Sequence, residues 1–345
     1  MLKVSNMMNF KKICSGFLEN LPGRTQDVIL RRFGMEKEKE TLESIGKRYG
    51  ICRERVRQIE EDGMKKIESL KNNQINKKIS QNFVHFLKEN GNLKREDKLL
   101  NSLGGKEFSN HAFFLLTILD PFQRFAETKD LHSLWTINEK SPKIAKEFIN
   151  IFIREFQKKN QPLYFDEIFQ IYQKKISPKI SSNKKALISY LEISKYISEG
   201  PFGQLGLTNW PEINPKGIKD RAYLAFKQAK KPLSFRDVAL IINGLKIKQK
   251  AKALPQTVHN ELIRDPRFIL VGRGIYALKE WGYEPGQVKD IILKILKKSK
   301  KPLLKEKIVK EVLKQRLVKE STILVSLRNV KDFKKDLKGR YYLSI

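Results

Sequence analysis

An internal period constrains this chain more than any other feature. Tripeptides ending in Pro-Leu recur at Gln161-Pro162-Leu163, Lys231-Pro232-Leu233 and Lys301-Pro302-Leu303, 70 residues apart each time (231 − 161 and 301 − 231). One further step back falls on Gly91-Asn92-Leu93. Seven residues before each leucine stands Phe86, Phe156, Phe226 or Leu296, and ten before it Phe83, Ile153, Tyr223 or Leu293. Three apolar columns in register across four copies mark a supersecondary unit that is repeated, so the chain builds several small cores rather than one large one.

Each copy reads alike. An apolar-periodic helix runs up to the Pro-Leu step, where proline blocks its continuation and sets extended backbone. In the third copy a second helix follows from Phe235 to Asn243, with Val238, Ala239 and Ile242 at helical spacing, and a third from Thr257 to Arg264. Alternating apolar residues around Gly272-Arg273-Gly274 then give strand, tight turn and strand from Arg267 to Leu278. Matching closures are Lys195 to Trp210, Lys331 to Leu343 and, for the first copy, Phe122 to Ile137. Three helices and a hairpin are the plan of a winged helix. The competing arrangement, an irregular helical array, does not account for the terminal alternation. The expected fold is mainly α: a helix-turn-helix domain at 1–75, then winged-helix units at 78–140, 143–212, 217–282 and 286–345.

The net charge of +32 needs a partner or much solvent. Nucleic acid is the usual polyanion for such an excess, although a Lys-rich solvated surface gives the same sum. Cys14 and Cys52 cannot build a disulfide framework. The N-terminus, with Lys3, Lys11 and Lys12, lacks a signal peptide's apolar core. The apolar run Ala112 to Leu119 is far shorter than the ~20 residues of a membrane helix. A cytoplasmic protein without membrane contact is expected. His85, His111, His132 and His259 lie in separate copies without ligand spacing, so no metal site is expected. No Gly-rich phosphate loop follows a strand, and Asp166-Glu167 and Glu60-Glu61 lack a partner base. The expectation is no enzyme, no cofactor and no small-molecule substrate.

Residues 21 to 70 carry a different pattern. Leu21-Pro22 opens a helix that ends at Arg31-Arg32-Phe33-Gly34. Thr41 caps a short helix from Leu42 to Tyr49 that buries Leu42 and Ile45, Gly50 permits a sharp turn, and a basic helix begins near Cys52. This is helix-turn-helix arithmetic. At about 100° per residue, Val56, Ile59, Gly63 and Ile67 share the inward side, while Arg53, Glu54, Arg57, Gln58 and Glu61 face outward with Arg55 at the border. Arg, Gln and Glu in the first two turns of such a helix suit guanine, adenine and cytosine edges. A solvated face held by pairs such as Glu54 to Gln58 or Arg57 to Glu61 is the alternative.

The stretch LPGRTQDVILRRFGM, followed by TLESIGKRYGICRERVRQIEEDGMKKIESL, resembles region four of bacterial housekeeping-type RNA polymerase sigma factors, most specifically in Arg53 to Glu60. The resemblance covers a fifth of the chain. It implies base readout of a minus-thirty-five-type element by Arg53, Glu54 and Gln58. It implies phosphate contacts by Arg31, Arg55, Arg57 and the helix start at Thr41-Leu42, whose outward N–H groups suit an anion. It also implies docking on the polymerase beta flap through an apolar groove, with Phe33 and Ile45 as candidate contributors. Asp62 and Gly63 depart from the family's basic residue and Ala, which implies weaker phosphate contact and a helix looser by ~1 kcal/mol. Nothing before this segment resembles the sigma regions that hold the clamp and open the minus-ten element, so an auxiliary factor is expected. Residues 255 to 283, PQTVHNELIRDPRFILVGRGIYALKEWGY, resemble the HARE-type winged helix that includes the polymerase-binding domain of the RNA polymerase delta subunit. The expected function is a sigma-like or auxiliary initiation factor bound to double-stranded promoter DNA and RNA polymerase core. The alternative is a delta-like accessory subunit whose winged helices hold protein. The third copy's presumed recognition face, Gln256, His259, Asn260 and Arg264, is thin for reading DNA.

Overall fold

The computed structural model describes residues 9–36, 38–70, 74–175, 183–245, 252–299, 301–329 and 332–343. Among them are sixteen α-helices and ten short strands, all the sheets antiparallel. The chain divides into two compact units: residues 1–199 with 203–208, and residues 200–202 with 209–345.

The N-terminal unit opens with four helices, α1 (Phe10–Leu18), α2 (Gly23–Phe33), α3 (Leu42–Tyr49) and α4 (Arg53–Ser69). Pro22 caps α2 from outside rather than starting it. Then come α5 (Gln74–Glu89), β1 (Leu93–Arg95), α6 (Glu96–Gly104), α7 (Ser109–Ile118), β2 (Gln123–Phe125) and β3 (Leu134–Thr136). A similar order, with no strand between the first two helices, follows in α8 (Ser141–Lys159), α9 (Phe165–Lys175), α10 (Lys184–Glu192), β4 (Ile197–Glu199) and β5 (Leu205–Leu207).

The C-terminal unit holds α11 (Gly217–Ala229), β6 (Leu233–Ser234), α12 (Phe235–Gly244), α13 (Pro255–Arg264), β7 (Phe268–Gly272) and β8 (Ile275–Leu278). It ends with α14 (Val288–Ser299), α15 (Lys305–Gln315), α16 (Glu320–Asn329), β9 (Phe333–Lys335) and β10 (Tyr341–Leu343). Lys331, where the last closure was expected to begin, lies outside the described residues.

The recurring leucine has one job in all four copies. Its backbone zips onto the closing hairpin while its side chain enters the core. Leu93 pairs with Thr136 and Leu233 with Tyr276, and Leu163 and Leu303 form single bridges to Leu205 and Tyr341. All four leucines are buried. The first copy lacks the proline for a conformational reason: Gly91 and Asn92 have φ of 78° and 66°, which proline cannot adopt.

The sequence reading set a boundary between residues 75 and 78, but the core runs across it. Phe10, Cys14 and Phe17 of α1, Ile29 of α2 and Ile67 of α4 share one cluster with Phe83, Leu99, Phe114 and Trp135. Apolar periodicity identifies an inward face and not the element that covers it. The second copy joins the first through α10, where the Tyr190 hydroxyl donates to the Gly91 carbonyl at 3.1 Å and Lys185 meets Glu89 at 2.7 Å.

In the C-terminal unit the last two copies have separate cores, one around Phe226, Val258 and Tyr276, the other around Leu296, Ile308 and Ile323. They are joined where the Leu317 amide donates to the Val271 carbonyl at 2.6 Å. Arg316, only 4% exposed, donates to the Glu284 and Gly286 carbonyls at 2.6 and 2.8 Å and so fastens the connecting loop.

Candidate nucleic-acid interface

The paired helices α3 and α4 are set by local chemistry. The Thr41 hydroxyl accepts from the Ser44 amide at 3.1 Å and starts α3. Gly50, at φ 64°, ends it in the left-handed region. The Ile51 amide returns to the Gly46 carbonyl at 3.0 Å, and the turn passes so close that a Cβ on Gly46 would lie 2.6 Å from the Ile51 carbonyl oxygen. Beneath it, Val28, Ile45 and Val56 form a small closed core flanked by Leu42, Tyr49, Ile51 and Ile59.

Val56, Gly63 and Ile67 of α4 are buried, with Ile59 half-buried, while Arg53, Glu54, Arg55, Arg57 and Gln58 are exposed together on its first two turns. The Arg53 guanidinium makes no hydrogen bond or ion pair among the described residues, and its charge acts on the neighbouring Glu54 carboxyl only through space. Arg57 is gripped from both sides: its Nε donates to both Glu54 carboxylate oxygens at 3.0 Å, and a second guanidinium nitrogen meets Glu61. This holds the Glu54 carboxyl below the usual carboxylate range. Arg55 donates to the Gln58 side-chain oxygen at 3.1 Å. The Arg57–Glu61 pair of the alternative, solvated-face reading is present. Glu54 pairs with Arg57 rather than Gln58, because the arginine competes with a full charge.

Arg31, expected at a phosphate, is elsewhere. It is 8% exposed and meets Asp27 and Glu40 at 2.6 Å each. Asp27 also accepts from the Tyr49 hydroxyl at 2.6 Å, and Glu40 from the Ser44 hydroxyl at 2.9 Å. The Arg31 guanidinium and the Ser44 hydroxyl together hold the Glu40 carboxyl below its ordinary value. Arg31 therefore clasps α2 to the start of α3, and its charge is already spent on two carboxylates.

Phe33 and Ile45 do not form an open groove. Phe33 packs against Phe113 and Phe114 of α7, ring centroids 6.1 and 5.1 Å apart, and Ile45 is fully buried. Phe33 instead lines a shallow cavity of about 390 Å³ together with Arg32, Lys39, Glu60, Phe113 and Trp135 among others. Arg32 is paired with Glu60 and Arg124 with Glu96.

Gly63 also has a reason that sequence reading missed: a Cβ there would meet Thr25 Cγ2 at 2.6 Å and Ile29 Cδ1 at 2.8 Å, so glycine lets α2 and α4 cross closely. His259, read from the sequence as part of the third copy's recognition face, is half-buried, 4.6 Å from the Phe235 ring and 5.9 Å from the Tyr276 ring. Gln256, Asn260 and Arg264 remain exposed around it. No cluster of metal-ligating side chains occurs among the described residues, and none of their helices is long and apolar enough to cross a membrane.

Residues 17–68 match the family model described as sigma-70, region 4. The segment is similar to that region, and its helices α3 and α4 form a helix-turn-helix. Over 55 residues the chain is 44% identical to the RNA polymerase sigma factor RpoS of Coxiella burnetii, covering 16% of each chain. Over 57 residues it is 46% identical to the RNA polymerase sigma factor sigB of Arabidopsis thaliana, covering 16% of this chain and 10% of that protein. The chain thus spans less than a fifth of either relative's length.

Proposed function

We propose that this protein is a sigma-like or auxiliary transcription initiation factor that binds a minus-thirty-five-type promoter element and RNA polymerase core, without catalysis of its own. The observation that carries the reading is the outward face of α4, which lies inside the matched segment and offers Arg53, Glu54 and Gln58 together on its N-terminal turns. Arg53 reads guanine, Glu54 a cytosine amino group and Gln58 adenine. Arg55, Arg57 and the α3 start at Thr41-Leu42 hold phosphates. Arg31 is left out of this set because it is consumed within the fold. To reach a base, Glu54 exchanges its bond to Arg57 for the cytosine amino group, which frees Arg57 for the backbone.

The four later copies act as winged helices in this reading. Their common order of three helices and a closing hairpin, with the recurring leucine paired to that hairpin through a short strand in the first and third copies and a single bridge in the second and fourth, supports it. The polymerase contact is not assigned to Phe33 and Ile45, since Ile45 is fully buried and Phe33 is half-buried against α7. A second reading, a delta-like accessory subunit, is favoured by one observation: Leu240, Leu254 and Ile263 of the third copy are all more than 60% exposed, which suits a protein surface better than a phosphate backbone.

Selection of duplexes from a random pool by the full chain, alongside a pull-down with polymerase core, tests the proposal. Enrichment of one motif that is lost with Arg53→Ala, together with core retained on the protein, is the expected result. Retention of core with no motif enriched would favour the accessory-subunit reading.

A further inference from the structure

The charge of this protein is not where its recognition helix is. The N-terminal unit, with α4, holds 37 Lys and Arg against 25 Asp and Glu, a net +12. The C-terminal unit holds 33 against 13, a net +20 in 140 residues. Residues 286–345 alone carry 18 against 6. A factor that relied on α4 alone would have no use for this distribution, and unneutralised charge of one sign destabilises the segment that carries it.

Within that last copy, the tip of the β9–β10 hairpin is built rather than loose. The Asp336 carboxylate accepts from the Lys338 and Arg340 amides at 3.0 and 2.8 Å and from Arg340 Nε at 2.8 Å. Gly339 turns the chain at φ 76°. This fixes the backbone while leaving Leu337 at the apex completely exposed, a costly place for a leucine in water. Around it Lys334, Lys335 and Lys338 are exposed, and none has a carboxylate partner among the described residues. Tyr342, opposite Lys334 in the strand register, is exposed on the same outward face.

From this we infer that the β9–β10 hairpin of the fourth copy is a second nucleic-acid contact, binding the duplex backbone without reading sequence, with Leu337 as an apolar wedge into a groove. Three exposed lysines without carboxylate partners among the described residues, Lys334 and Lys335 at the end of β9 (Lys335 with its ammonium 6.0 Å from the Tyr341 ring centroid) and Lys338 in the turn, complement closely spaced phosphates, and their binding is driven by counterion release. An apolar side chain flanked by lysines matches the way groove-inserting proteins combine a wedge with backbone neutralisation. The Asp336 lock prepays the ordering of the loop, so less is lost on binding. This contact is independent of the promoter reading, which belongs to α4.

The test uses the full chain and a 30-base-pair duplex of random sequence (length chosen at about three helical turns), with affinity measured across salt concentrations. The combined Lys334→Gln, Lys335→Gln and Lys338→Gln variant should lower the log–log salt slope by about 2 to 3 and weaken binding at least tenfold at about 0.1 M salt. Leu337→Ser should weaken binding with the slope unchanged, since leucine releases no counterions. A benzophenone amino acid in place of Leu337 should cross-link to the duplex in the otherwise unaltered protein, which removes any dependence on how the lysine variant folds. Preference for a promoter element over random duplex should survive in the lysine variant; its absence in the parent protein would count against the α4 reading and not against this one. The inference is overturned by a slope change under about half a unit, by no cross-link to duplex, or by variants that lose binding to anionic phospholipid vesicles while keeping it to DNA.

Discussion

Replacing Gly46 with Ala sets two effects of opposite sign against each other. Gly46 lies inside α3, where Ala normally gains about 1 kcal/mol over Gly. Its Cβ, however, would stand 2.6 Å from the Ile51 carbonyl oxygen, against at least 3.4 Å for an ordinary contact, so the turn has to retreat by roughly 0.8 Å (3.4 − 2.6). Both sides of that contact are backbone, and the Ile51 amide is bonded to Gly46 itself, so no side-chain rotation relieves it. Overpacking of this kind costs about 1–3 kcal/mol, and the rigidity puts it in the upper half. The net expectation is a loss of about 1–2 kcal/mol. Native-state hydrogen exchange of the Ile45 and Val56 amides, at the starts of α3 and α4, reads it directly. Gly16→Ala is the matched control: Gly16 is inside α1 with nothing within 4 Å of its Cβ, and should stabilise by about 0.5–1 kcal/mol. Equal or greater protection in Gly46→Ala would refute the argument that clearance at the turn outweighs helix propensity.

Four further outcomes are expected. Cys52 is exposed beside Arg53, whereas Cys14 is buried and its thiol is pushed up to about 12 by burial; a maleimide should therefore label Cys52 alone in the folded protein, promoter duplex should protect it, and labelled protein should lose duplex binding. The Glu40 carboxyl is held below its ordinary value of 4.5 by Arg31 and Ser44, so its contribution is complete above that pH and lost as pH falls through the lowered value; Glu40→Gln should remove this part of the acid-unfolding limb and leave the limb's neutral-pH side flat. Arg316→Ala strips donors from three carbonyls and should cost about 2–4 kcal/mol in the C-terminal unit, read by urea unfolding, while Gly272→Ala, whose Cβ would lie 2.7 Å from the Leu317 carbonyl, should lower the last two copies together.

The features legible in the sequence are those encoded locally. Thr41, Gly34 and Gly50 announce the limits of α2 and α3 because caps and left-handed turns depend on a residue and its immediate neighbours. The leucine column at 93, 163, 233 and 303 was visible because one backbone role recurs at one spacing. What stayed hidden depends on residues distant in the chain or on close approach in space. Arg31 looks like any basic residue at a helix end until Asp27 and Glu40 are placed on either side of it. Phe33 reads as a free docking residue until α7, eighty residues on, half-buries it under Phe113 and Phe114. Gly63 reads as a helix defect until α2 is packed across it. The charge excess was plain as a sum, but its concentration in the C-terminal unit required the division of the chain.

The central claim is that α4 reads bases through Arg53, and a thermodynamic cycle tests it most directly. Affinity of the full chain is measured for a selected duplex and for its single-base-pair variants, with the unaltered protein and with Arg53→Ala. The account predicts that Arg53→Ala costs about 1–3 kcal/mol on the selected duplex and abolishes discrimination at one base pair, leaving the other positions as they were. Equal losses on every duplex, random sequence included, would make Arg53 a backbone contact and contradict the claim.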